Sequence, residues 1–139
     1  MTPDPEIASL ARTDGRYSPE AFALVLEALE QTVEFVKQGR IPSLAPYANE
    51  RSPKGQKNQF HVSGRELIEG FRIHLCETYG RMAPLLLHRT GLRRTEDIGE
   101  IVFLLVEAGR LSKRPHDSRV DFAHGYDFTE AFAPPPEAE

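Results

Sequence analysis

Leu111-Ser112-Lys113-Arg114-Pro115-His116-Asp117-Ser118-Arg119-Val120-Asp121-Phe122 governs the fold class to be expected of this chain. Arg114 to Ser118 is turn chemistry, with proline, aspartate and serine within five residues. Leu111 to Lys113 reads as a short strand before the turn, and Arg119 to Phe122 alternates polar and apolar like a return strand after it. The expectation is a two-stranded hairpin.

Three helices are expected upstream. Thr95-Glu96-Asp97 caps one whose apolar face is Ile98, Ile101, Val102, Leu105 and Val106 and whose stop is Gly109. Arg81 to Arg89 reads as a short helix with Met82, Leu85, Leu86 and Leu87, Pro84 in its first turn and Gly91 at its close. Ser63-Gly64-Arg65-Glu66 is a capping box, followed by the stripe Leu67, Ile68, Phe71, Leu75 and Tyr79, with Gly80 as terminator. Gly70 inside that helix costs about 1 kcal/mol against alanine, which suggests either close approach of another backbone or a tolerated weakness. Helix, short helix, tight turn, helix and hairpin is the order of a winged helix-turn-helix, here over about 63–122.

Farther out, Ser18-Pro19-Glu20 starts an extra N-terminal helix: a hydroxyl cap, proline at the first position and an acid in the first turn. Phe22, Val25, Leu26, Leu29, Val33 and Val36 form its stripe, while Leu24, Ala28 and Phe35 lie opposite and need a cover. Periodicity is weak before Tyr17 and absent from Arg40 to Val62. After Pro115, aromatic residues (Phe122, Tyr126, Phe128, Phe132) interleave with acids, a segment expected to dock on its own domain beside Leu24 and Phe35. The expected class is therefore α+β, mostly helical: a winged-helix-like domain with an extra N-terminal helix and a C-terminal two-stranded hairpin. It forms one domain over 1–132 with a disordered tail over 133–139.

Composition narrows the function classes. The 139 residues are 40% hydrophobic, enough for a core without staples, and the single cysteine, Cys76, excludes an intramolecular disulfide. The longest apolar run, Ile101 to Val106, is far short of a membrane span, and the first residues are acidic and proline-rich, unlike a targeting peptide. A cytoplasmic location without membrane contact is expected. His61, His74, His88, His116 and His124 are scattered, with no pair at zinc-ligand spacing. Glu96, Asp97, Glu100 and Glu107 read as helix-terminus and solvent-facing acids rather than a catalytic pair. No phosphate loop or dinucleotide fingerprint is present. No cofactor, metal or catalytic residue is expected, and an enzyme is the least favoured class.

The net charge of −4 gives no global attraction to nucleic acid. The outward side of the helix in the recognition position carries Asp97, Glu100, Phe103, Leu104 and Glu107, which repels phosphate. Arg51, Lys54, Lys57, Lys113 and Arg114 leave a weak nucleic-acid rim as the alternative, a winged helix acting in transcription or on RNA. The favoured expectation is a non-enzymatic protein-interaction module, with Arg93, Arg94, Glu100, Phe103, Glu107, Tyr126 and Phe128 as candidate partner-binding residues and protein as the partner class.

Four strings stand out: His61-Val62-Ser63-Gly64-Arg65-Glu66-Leu67, Arg93 to Phe103, Leu105-Val106-Glu107-Ala108-Gly109, and Gly125-Tyr126-Asp127-Phe128. In these, the chain resembles, from about Tyr17 to Phe132, a conserved uncharacterised family of small bacterial proteins from planctomycetes and verrucomicrobia. The resemblance implies no activity and supplies no catalytic residue.

Overall fold

A computed structural model describes residues 5–41, 62–111, 122, 123 and 125–132, and every element these residues form is helical. In chain order these are α1 (Pro5–Asp14), α2 (Pro19–Lys37), α3 (Gly64–Tyr79), a 3-10 turn (Gly80–Met82), α4 (Ala83–Thr90), α5 (Thr95–Glu107) and the single turn α6 (Phe128–Ala131).

This corrects the α+β expectation. No described residue lies in a strand. Leu111 belongs to the unwinding end of α5, its N–H donating to the Leu105 carbonyl 3.3 Å away. Phe122 sits in a helical turn with its ring buried over Gly99. Phe122 is apolar because it fills that space, which needs one buried side chain and no sheet. The expected wing, and with it the winged-helix assignment, falls; residues 112–121, including Lys113 and Arg114, lie outside the described residues.

Helix α2 is the hub, packing against α1, α3, α4 and α5. It buries Phe22, Leu24, Val25, Ala28, Leu29, Thr32 and Phe35, so the side opposite its sequence stripe is covered too. Part of the cover is α1, whose buried anchors are Ile7 and Ala11. Phe35 lies under the Arg40 guanidinium, 4.6 Å from the ring centre. The tightest approach in the bundle is between α2 and α3. The buried Thr32 hydroxyl donates to the Ala28 carbonyl at 2.7 Å, and an ideal Cβ on Gly70 would come within 1.8 Å of that oxygen. Gly70 is thus required by a neighbouring side chain rather than a backbone.

The helix ends follow local chemistry. In the α3 capping box, Glu66 N–H donates to Ser63 Oγ (3.1 Å) and Ser63 N–H to Glu66 Oε1 (2.8 Å). Gly91 ends α4 at φ 90°, and a side chain there would meet the Arg16 carbonyl. At the start of α5 the capping within Thr95-Glu96-Asp97 comes from its last residue. Asp97, not Thr95, accepts from the backbone N–H groups of Arg93 (2.9 Å) and Arg94 (3.2 Å). The other Asp97 oxygen accepts from the buried Tyr17 hydroxyl at 2.6 Å; burial, then that bond, pushes the Tyr17 phenol up.

The buried Thr95 side chain instead fastens the C-terminal segment. Its hydroxyl donates to the Phe122 carbonyl (2.6 Å) and accepts from Gly125 N–H (3.1 Å). Tyr126 donates to the Ile68 carbonyl at 2.6 Å, and burial pushes its phenol up. Phe128 stacks on Phe71, and Phe132 meets Phe71 edge-on, both with ring centres 6.1 Å apart. The segment therefore docks on its own domain, and these contacts are with α3 and α5.

Candidate functional site

The structure spreads the sequence-predicted partner residues over the turn before α5, the length of α5 and the docked C-terminal segment. Arg93 and Arg94 are exposed in the turn before α5, and Glu107 is exposed at its far end. The helix between them has 13 residues, so they stand on the order of 20 Å apart. Glu100 pairs with Arg16 at 3.6 Å. Phe103 packs edge-on against Phe122 with ring centres 6.2 Å apart. Tyr126 and Phe128 are engaged against α3 and each other. Arg51, Lys54 and Lys57, like Lys113 and Arg114, lie outside the described residues, as do His61, His116 and His124.

The polar cluster richest in chemistry joins α2 to the C-terminal half of α3. His74, 7% exposed, places Nε2 2.7 Å from Glu27 Oε1, and the Tyr79 hydroxyl donates to the same oxygen at 3.0 Å. His74 Nδ1 is 3.2 Å from Thr78 Oγ1. With a neutral ring whose Nε2–H donates to Glu27, Nδ1 is the acceptor and Thr78 the donor. Burial and the Glu27 bond push the Tyr79 phenol up. Beside this cluster Arg40 pairs with Glu77 and holds its carboxyl below the usual range. The line of carboxylate, imidazole and hydroxyl has the makings of a proton relay, but these side chains bond one another across the helix pair and read as a clamp. Among the described residues no group of three or more histidine, cysteine or acidic side chains is placed to hold a metal. Cys76 is exposed, its Sγ 3.6 Å from the Ala131 carbonyl.

A second feature escaped the sequence reading. Helix α4 turns Ala83, Leu87 and Thr90 into the core. Those positions, four and three residues apart, define its inner face, which leaves Leu85, His88 and Arg89 of α4 on the outside, and Arg81 and Met82 of the preceding 3-10 turn are exposed as well. Met82 is 57% exposed and Leu85 51%, and they are the exposed large hydrophobics among the described residues. Met82, Leu85, Leu86 and Leu87 stand within six residues of one another, and a helix of eight residues has too few turns for periodicity alone to separate inward from outward leucines.

Compared with family models, curated proteins and solved structures, the chain matches none.

Proposed function

We propose that this chain is a non-enzymatic protein-interaction module that presents the outer face of Gly80–Thr90 to its partner. The observation that carries the reading is the pair Met82 and Leu85, three residues apart and both more than half exposed. Single exposed hydrophobics are ordinary on protein surfaces. Two on one helical face form an anchor pair of the kind that helix-in-groove recognition uses. The alternative, contact with nucleic acid, is disfavoured by α5, which carries Glu96, Asp97, Glu100 and Glu107 and no basic residue. Among the described residues no helix is long and apolar enough to cross a membrane.

A photo-cross-linking residue placed at position 85 of the full chain in its native cells should give a discrete protein adduct. The same residue at Ala23, exposed on α2, should not. The double substitution Met82→Ser/Leu85→Ser should abolish capture of that protein by the tagged chain without lowering the melting temperature. Undiminished capture by the double variant would remove this face from the interaction.

A further inference from the structure

We infer that Met82 is a modification site through which the α4 face is regulated: a peroxide oxidises its thioether to the sulfoxide, and the face loses one of its two apolar anchors while the bundle stays folded. This inference rests on the interaction reading above and adds a control of the same site.

The placement of sulfur carries the argument. The sequence holds one cysteine, two methionines and no tryptophan, so Met1, Cys76 and Met82 are the side chains open to mild two-electron oxidants. Among the described residues the buried core is aliphatic and aromatic and contains no sulfur. Methionine commonly fills irregular gaps inside a protein. Here Met82 stands outside, 57% exposed. A peroxide therefore reaches its sulfur without prior unfolding, and the oxygen it leaves adds no polar atom to the core. Met82 precedes Ala83 with helical backbone angles (φ −82°, ψ −10°), three residues before Leu85 and on the same face. Cys76, the other exposed sulfur, lies elsewhere, its Sγ 3.6 Å from the Ala131 carbonyl of the C-terminal segment.

The chemistry is a two-electron oxygen transfer. The thioether sulfur attacks one peroxide oxygen, the S–O bond forms as the O–O bond breaks, and the second oxygen leaves as water. Sulfur is oxidised and the peroxide reduced. The product carries a polar acceptor in place of an apolar sulfur, and an apolar partner pocket would have to strip that oxygen of water without offering a donor. Leu85 has no group that reacts, so one anchor is switched and the other is constant. A dithiol reductant of the methionine sulfoxide reductase class restores the thioether, with a disulfide and water as products, which makes the switch reversible.

The test treats the purified, tagged full chain, carrying the photo-cross-linker at position 85, with hydrogen peroxide, removes the oxidant, and returns the chain to an extract of its native cells. Peptide mass spectrometry should find an added oxygen on Met82, with the melting temperature unchanged. The yield of the discrete adduct should fall by about tenfold and recover after methionine sulfoxide reductase with dithiothreitol. The readout is the ratio of treated to untreated yield. In Met82→Leu that ratio should stay near unity, whatever the variant's own yield, whereas Cys76→Ser should lose the adduct as the parent does. Undiminished adduct from a chain fully oxidised at Met82 would overturn the inference. So would an equal loss in Met82→Leu, protection by Cys76→Ser, or a loss accompanied by unfolding. An adduct that forms on the untreated chain and ignores oxidation leaves the interaction reading standing without this control. If the untreated chain gives no adduct, both fall.

Discussion

Truncation after Ala123 should lower the melting temperature by about 15 °C and make the protein self-associate. The truncation removes Tyr126, Phe128 and Phe132, which close over Phe71, and the Tyr126 bond to the Ile68 carbonyl. Phe132 is 3% exposed, while Tyr126 and Phe128 are half-buried against the core. Fully burying one such ring contributes about 1.5–3 kcal/mol, so one buried ring and two half-buried ones contribute roughly 4–5 kcal/mol. That is a large share of the typical 5–15 kcal/mol of a domain. For a chain of this length each kcal/mol moves the midpoint by roughly 3–4 °C. Removing the rings also uncovers Phe71, otherwise fully buried, and an exposed apolar patch promotes association. Should the truncated chain not fold, Phe132→Ala isolates the same effect, with an expected cost of about 3 kcal/mol. Calorimetry with analytical ultracentrifugation reads both variants. A truncated protein that melts with the intact one and stays monomeric would show the segment to be a free tail, and Tyr126 and Phe128 would return as partner-binding residues.

Replacing Gly70 with alanine should destabilise the protein by about 2 kcal/mol, although alanine is the better helix former. Propensity favours the substitution by about 1 kcal/mol. Against it, the new methyl would lie 1.8 Å from Thr32 Oγ1 and 2.7 Å from Thr32 Cβ. Relieving that overlap separates α2 from α3 or rotates Thr32, whose hydroxyl then loses its bond to Ala28. Overpacking costs about 1–3 kcal/mol and the lost bond about 1 kcal/mol more, so strain outweighs propensity. Thr32→Ala should rescue the Gly70→Ala variant only in part, because Thr32 Cβ remains too close. Urea denaturation of the two single variants and the double variant gives the coupling. A Gly70→Ala protein as stable as the parent would mean that the two helices do not approach as described.

What the sequence discloses divides along chain separation. Contacts within one turn were legible: the Ser63/Glu66 capping box, the positive-φ glycines Gly80 and Gly91, and proline at the start of α2 and α4 stand where local chemistry puts them. Helix α1 was missed because it offers only Ile7 and Ala11 to the core, too few anchors to set a period. The hairpin was a false reading of real information. Alternation over the four residues Arg119 to Phe122 is compatible with one buried ring, and the glycine that receives it, Gly99, lies 23 positions upstream. Gly70 and Gly99 carry the same kind of signal, an unexplained glycine inside a helix. Each marks an approach by a side chain distant in sequence, Thr32 or Phe122, that periodicity cannot identify. The same limit hid the Glu27–His74 clamp, whose members are 47 residues apart.

The docked segment also shapes the functional reading. With Tyr126, Phe128 and Phe132 packed against the core, the described part of the acid-aromatic motif belongs to the bundle, and among the described residues the exposed large hydrophobics are Met82 and Leu85. Both conclusions depend on residues 122, 123 and 125–132 packing against α3 and α5.

Nuclear Overhauser contacts in the full-length protein test that placement most directly. The structure predicts cross-peaks from the Ile68 Cδ1 methyl to the Gly125 α protons, from the Phe122 ring to Gly99, and from the Phe132 ring to Phe71. Their joint absence, with random-coil shifts over residues 125–132, would contradict a bundle closed by its own C-terminal segment.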